Sequence, residues 1–414
     1  MRVGKKNSRF LFLISISLLT SIIIIPSGTC MEMIWSFRAG DWIRDVAISD
    51  DGSTIAACSY DHKIYLFNSE TNIPLWAYES SDTPWIAAFS TKGDYIITGS
   101  SSGYIRLFTK DSSVPLWSYE TGATVGALAI TPDGSYMVAG SNDNRLYMFD
   151  RNGLMWSYHT GDSFVSVAIS SNGELIAAAS SSGDHGKVYL FNKASSTPLW
   201  NYGEEYVFSV DISSDGDYII SGSGRGDYWE DPPKGDIAVF HKNSSTPLWT
   251  YDASNYIRTV AISSNGQYIA ASSNENKFYF FDRSSSTPIW THNLRGFPED
   301  LAMSHDGKFV VIGLMSDNIL SFDTSARFLM WDLMFISNIE SVDISSDGGY
   351  VVASDHSGNA FLIANTGLNV VILITSITGI AIILITTGLV IRLKKKRKFK
   401  GEQGKKDTNF LVLK

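Results

Sequence analysis

Apolar and polar residues alternate in short runs from about residue 34 to 362, and the runs come in pairs joined by a turn signal. The clearest copy is Val260-Ala-Ile-Ser-Ser-Asn-Gly-Gln-Tyr-Ile-Ala-Ala-Ser-Ser, a period-two run, an Asn-Gly pair and a second run. With variations it recurs at Val46, Ala87, Leu128, Val167, Val210, Leu301 and Val342, making eight copies. Asx-Gly fills the turn in seven of them and Lys92-Gly93 in the other. Alternation of period two predicts half-buried strands, and Asx-Gly supplies positive φ at low steric cost, so each copy is predicted to be a β-hairpin.

A third strand with an aromatic end follows each hairpin, as in Ile64-Tyr-Leu-Phe-Asn and Leu146-Tyr-Met-Phe-Asp. A polar turn, often Ser-Ser-Thr-Pro, leads to a fourth strand centred on Trp76, Trp117, Trp156, Trp200, Trp249, Trp290 or Trp331. One more such strand, around Trp35, precedes the first hairpin, and successive Trp residues are 41, 41, 39, 44, 49, 41 and 41 apart. A four-stranded unit at a period near 40 is the signature of a propeller blade. The last unit lacks its own Trp strand, and the Trp35 strand lacks a hairpin. If the two combine, eight blades close with no unpaired edge. The expected fold is therefore all-β: an eight-bladed β-propeller over residues 31–363, closed by the N-terminal strand. The Trp residues are expected to pack between blades.

The hairpin part resembles WD-repeat propellers, although Phe67, Phe149, Phe191 and Phe281 stand where the Trp of the WD pair would be. The Ser-Ser-Thr-Pro-Leu-Trp part resembles the tryptophan-docking repeat of quinoprotein propellers of the pyrroloquinoline quinone type. That resemblance implies eight blades. Its dehydrogenase members place a vicinal Cys pair at the cofactor, and Cys30 and Cys58, the two cysteines here, are not adjacent. Cofactor-free relatives of the repeat are binding and scaffold proteins, and the resemblance implies that role more directly.

The ends change the picture. Residues 1–30 have a basic start (Arg2, Lys5, Lys6, Arg9), an apolar stretch and small residues at 27–29, the parts of a secretory signal or an uncleaved anchor. Residues 370–391 form an uncharged apolar run of 22 residues. As a helix it would span roughly 33 Å, enough for a bilayer core of about 30 Å. The basic stretch that begins at Arg392 marks its far side as cytoplasmic. The expectation is a linker at 364–369, one transmembrane helix at 370–391 and a basic cytoplasmic tail at 392–414, with the propeller extracellular. Residues 31–367 carry 40 acidic and 19 basic residues, a net charge of −21. Such an acidic unit repels nucleic acid, which removes that partner class. Cys58 falls in a strand, either as a buried free thiol or bridged to Cys30.

Because the chain enters at a fourth strand and leaves after a third, both ends should emerge on one face. The other face should carry the loops that vary. Two of these are lengthened. One, at 181–186, contains Asp184 and His185. The longer, at 222–235, contains Tyr228 and Trp229, aromatics of the kind enriched at interfaces. Asp227, Glu230, Asp231 and Asp236 offer oxygen ligands for Ca²⁺, though not at EF-hand spacing. A further set lies two residues before the leading apolar position of each hairpin, where the strand should reach the axial mouth. It includes Arg44, Trp85, Phe208, Arg258, Glu299 and Glu340, along with Gly126 and Val165. The four charged members fall on successive blades, either as an ion-pair network or as a pocket with Trp85 and Phe208 as its apolar side. Asn243 heads the one N-glycosylation sequon.

Catalytic patterns are sparse. The seven histidines are scattered, and no phosphate loop, nucleophile elbow or zinc knuckle is present. The expected role is a cell-surface binding or scaffold protein for a protein or glycan partner, with no cofactor required. The alternative is a propeller-based enzyme, either a glycan hydrolase or lyase or a quinone-dependent dehydrogenase.

Overall fold

The computed structural model describes residues 23–26, 31–182, 185–204, 206–225, 233–365, 370–376 and 379–384. Eight four-stranded antiparallel sheets run in the order a-b-c-d from the axis outward. The inner strands are Ile43–Ile48, Pro84–Phe89, Val125–Ile130, Ser163–Ile169, Tyr206–Ile212, Ile257–Ile262, Pro298–Met303 and Ile339–Ile344. They number blades 1 to 8. The outer strand of blade 8 is Glu32–Arg38, paired antiparallel with Asn359–Ala364, so the predicted closure by the Trp35 strand is what the ring uses.

The recurrent Ser-x-Asx-Gly sequence, with Thr131 for Ser in blade 3 and Lys92 for Asx in blade 2, explains the a–b turns. In blade 1 the Ser49 hydroxyl donates to Asp51 Oδ1 at 2.7 Å and accepts the Thr54 N–H at 3.0 Å, while Asp51 Oδ1 accepts the Ser53 N–H. Only the glycine takes positive φ, 67–77° across the eight turns, whereas the Asx residue does not. The glycine is also required by its neighbour: a Cβ on Gly348 would meet Phe309 Cδ2 of the preceding blade at 2.2 Å.

Seams between blades are closed by the Trp strands. Ring centroids of each Trp and the third-strand Phe of the next blade lie 5.1–5.8 Å apart at seven seams, from Trp35–Phe67 to Trp290–Phe322. The indole N–H of Trp76, Trp156, Trp200 and Trp249 donates to the carbonyl of the residue following that Phe strand: Lys110, Lys193, Lys242 and Arg283. The Phe residues at the WD-type Trp position are thus the surfaces onto which the tryptophans dock. The a–b turns are also linked by backbone hydrogen bonds, as from Ser346 N–H of blade 8 to Asp50 C=O of blade 1 at 2.9 Å. Cys58 is a fully buried free thiol.

Two faces result. The mouth face carries the d–a and b–c loops, and the turn face carries the a–b and c–d turns. Met31 and Asn365 both lie on the turn face, because Glu32 pairs with Ala364 at its edge.

The flanking segments form a separate unit. In it Val370–Ser376 pairs antiparallel with Gly379–Leu384 and with Ile23–Pro26. The single helix expected at 370–391 is therefore not what the described residues form. Among them no helix is long and apolar enough to cross a membrane, which says nothing of strands. The run is rich in Val, Ile and Thr, whose β-branched side chains favour extended backbone.

Candidate functional site

The eight residues expected at the axial mouth share one backbone feature. Each is the extra residue of a β-bulge in its inner strand, since pairing with strand b skips from Ile43 to Asp45, Pro84 to Ile86, Val125 to Ala127, Phe164 to Ser166, Val207 to Ser209, Ile257 to Thr259, Pro298 to Asp300 and Ile339 to Ser341. A bulge re-aims its side chain out of the ladder. Arg44, Trp85, Gly126, Val165, Phe208, Arg258, Glu299 and Glu340 are thereby set at the rim of the channel.

The charged members pair. Arg258 Nη2 lies 3.0 Å from Glu299 Oε1, and Arg44 Nη1 pairs with Glu340 Oε1. Glu340 also accepts from His356 Nε2. Between them opens a cavity of about 320 Å³ whose wall includes Val165 and Phe208. The ion pairs and the cavity share one rim, and Phe208, but not Trp85, is in the cavity wall. The Arg44 guanidinium lies 5.0 Å from the Trp85 ring centroid, which places Trp85 beneath the ion pair rather than opposite it.

Sequence reasoning missed the aromatic arc beside this mouth. Trp42, 47% exposed, stacks on His356 at 4.6 Å and 16°, and Tyr60 bridges Trp42 to Trp85 with centroids 5.8 and 5.9 Å away. Trp42, Tyr60 and His356 come from loops of blades 8 and 1, so no local spacing announced them. The exposed Phe297, Met315 and Ile336 extend the apolar character across the loops of blades 7 and 8.

Below the rim lies a tier of carboxylates, also missed. Asp45, Asp211, Asp300 and Asp343 each accept a backbone N–H from the inner strand of the next blade, at 2.8–2.9 Å. They clasp neighbouring blades around the axis. The Ser341 hydroxyl reaches both Asp45 Oδ1 (2.9 Å) and Asp300 Oδ2 (3.2 Å). Burial pushes Asp45 and Asp343 up to about 7 and Asp211 to about 6, and raises Asp300. The signal was legible as Asp at two inner-strand positions, one where the other blades have Ala, Ser, Thr or Ile and one where they have Ala.

A pH dependence follows. The folded ring keeps these protons to higher pH than the unfolded chain, whose carboxyls titrate near 3.8. Their stabilising contribution is complete below about pH 4 and is lost as pH rises through about 7. The turn aspartates, such as Asp51 and Asp133, have lowered values and act in the opposite sense, below about pH 4. Melting temperature should therefore fall from pH 5 to pH 8. Asp45→Asn should flatten that slope; an unchanged slope in the variant would show that Asp45 is ionised throughout.

The lengthened loops are described only at their stems. Tyr228, Trp229, Asp184, Asp227, Glu230 and Asp231 lie outside the described residues. Strand pairing continues outward to Ser182–His185 in blade 4 and to an Arg225–Lys234 bridge in blade 5. His185 is exposed, and Asp236 is half-buried with Arg225 Nη2 at 3.4 Å. Asn243 is exposed in a c–d turn on the turn face. Among the described residues no cluster of His, Cys, Asp or Glu is arranged to hold a metal ion.

The blades, the tryptophan docking and the closed ring define an eight-bladed repeat propeller suited to protein interaction or scaffolding. The family model described as outer membrane protein assembly factor BamB matches residues 101–334, more than half of the chain. The chain belongs to that family. The model for the WD domain, G-beta repeat, matches residues 31–68. No curated protein matches the sequence. Among solved structures, the C-terminal WD40 domain of Sif2 superposes with a TM-score of 0.69 at 14% identity, covering 82% of this chain and 99% of that one. The computationally designed Ika8 protein gives 0.67 at 14% identity, covering 80% and 99%. At such identity the likeness is one of fold.

Proposed function

We propose that this chain is a membrane-attached scaffold whose mouth face docks a partner protein outside the cytoplasm. The observation that carries the reading is the exposed Trp42, stacked on His356 beside a charged 320 Å³ mouth. Large aromatics next to paired Arg are the composition of interface hot spots. The family's description as an assembly factor supports the same class of role. Attachment through residues 370–391 is supported by the uncharged apolar run and the basic stretch after it.

A photo-crosslinking residue at Trp42 in intact cells should capture one discrete polypeptide, and the same residue at Leu199, on the outer rim, should not. A membrane-impermeant maleimide should label Ile336→Cys in intact cells, in a Cys30→Ser background. Absence of a Trp42 product, or an identical product from Leu199, would overturn the docking reading. Labelling of Ile336→Cys only after lysis would overturn the topology.

A further inference from the structure

A device that recurs at three seams of the turn face is absent at the seam between blades 6 and 7. The residue that opens strand b of most blades is aromatic and lies against the turn glycine of the next blade. A Cβ on Gly134 would meet Tyr95 at 2.5 Å, on Gly266 Tyr218 at 3.0 Å, and on Gly307 Tyr268 at 3.0 Å. At three seams the first residue after strand c of that next blade is a cation lying over the ring. Arg151 Cζ is 4.6 Å from the Tyr95 centroid, Lys193 Nζ is 4.4 Å from Tyr136, and Arg283 Cζ is 3.5 Å from Tyr218. Arg151 also donates to the carbonyls of Gly134, at 3.1 Å, and Asp133.

Between blades 6 and 7 the equivalent residue is Thr324. Its hydroxyl takes the carbonyl that Arg151 uses in blade 3, donating to Gly307 O at 2.6 Å, but its side chain is too short to cover Tyr268. Among the described residues no cation lies over Tyr268. A cavity of about 400 Å³ opens there instead, with Phe280 as an apolar wall and the Asp282 and Asp306 carboxyls at its border. Ser284 donates to Asp282 through both its hydroxyl and its N–H, which holds that carboxyl below its ordinary range and ionised. Two cations also border the cavity. Lys308 has its ammonium 4.9 Å from the Phe309 ring, and Arg327 sits in the c–d turn at φ 56°. Tyr350, facing Ser69, is also uncapped; both rings pack beside a core cluster, but the cavity opens at Tyr268.

We propose that this cavity binds a guanidinium group, the arginine side chain of a partner polypeptide, laid over Tyr268 as Arg283 is laid over Tyr218. A planar cation stacks on an aromatic face while its N–H fork serves carboxylates and carbonyls. The Asp282 and Asp306 carboxylates and the free lone pair of Gly307 C=O supply those acceptors. The site lies on the face opposite the mouth and does not depend on what docks there.

The test uses the full-length protein and N-acetyl-arginine methylamide, with the uncharged citrulline analogue as control. The arginine probe should raise the melting temperature and the citrulline probe should not. Thr324→Arg should fill the seat from within: it should raise the melting temperature without ligand and weaken the probe's effect at least about tenfold. Tyr268→Leu should abolish the response without the intrinsic gain. Equal responses to arginine and citrulline, or an undiminished arginine response in Thr324→Arg, would overturn the proposal. If Thr324→Arg fails to fold, an undiminished response in Tyr268→Leu does the same.

Discussion

Deletion of residues 31–37 abolishes cooperative melting of the propeller and leaves a species that aggregates. This is the expected result because the strand closes two things at once. It is the outer edge of blade 8, in register with Asn359–Ala364, and its removal exposes that edge to other chains. It is also the seam between blades 8 and 1. Trp35, 8% exposed, packs on Phe67 at 5.3 Å and donates to Ser69 C=O at 3.3 Å. Phe37 touches both Tyr65 and Phe67 with centroids 4.9 and 4.8 Å apart. Truncating one buried Trp to Ala costs about 3–5 kcal/mol, against a typical total of about 5–15 kcal/mol for a domain. Losing the Trp, the Phe and five of the six paired residues of that strand together exceeds what a closed ring of this kind holds in reserve. Calorimetry and size-exclusion chromatography check the outcome. A monomeric variant with an unchanged melting temperature would show that the ring closes without its N-terminal strand.

The blades were legible because the information is local and repeated. Ser-x-Asx-Gly specifies a turn, alternation specifies two strands, and Trp at a spacing near 41 specifies the docking strand. Arg44, Arg258, Glu299 and Glu340 could be placed at the mouth because the bulge recurs at one position in all eight inner strands. What was not legible is assembled across blades. Trp42, Tyr60 and His356 come from loops separated by up to 314 residues and meet only when the ring closes. The clasp formed by Asp343 on Ile48 N–H joins the last blade to the first; ring closure makes the two blades neighbours, but no sequence pattern says which backbone N–H the carboxylate meets. The apolar run at 370–391 shows a different weakness. Composition announces an apolar segment there, and with strands described at 370–376 and 379–384 the expected helix is not shown, because hydropathy alone does not choose between a helix in lipid and a strand.

Arg106→Ala costs about 3–5 kcal/mol, more than a surface position would suggest from a charged residue in a strand. In the other blades the same position of strand c is usually aromatic: Tyr65, Tyr147, Tyr189 and Tyr279. Tyr65 and Tyr147 donate to an acid in their own b–c loop, Asp61 and Asp143 respectively, and Tyr279 does the same with Glu275. Blade 2 has reworked this pairing. Arg106, 4% exposed, reaches instead to Asp82 in the d–a loop, 7% exposed, with Nη2 3.2 Å from Oδ1. The guanidinium is enclosed by Tyr104 and Tyr78, 4.7 and 5.5 Å from their ring centroids, and Ser80 donates to the same carboxylate oxygen. Asp82 Oδ2 has no partner, and among the described residues Arg106 is the cation that pairs with this buried carboxylate. Removing it leaves a carboxylate without compensation in an apolar seam, and that desolvation, rather than the worth of the pair, sets the size of the loss. The double variant Arg106→Tyr with Asp82→Asn restores the residue type that other blades use and removes both charges, so its cost should fall to about 1 kcal/mol. Urea unfolding of Arg106→Tyr, Asp82→Asn and the double variant, at constant pH, measures the coupling. If Arg106→Ala costs no more than the double variant, the pair is solvated in solution and the seam is held by its aromatic rings alone.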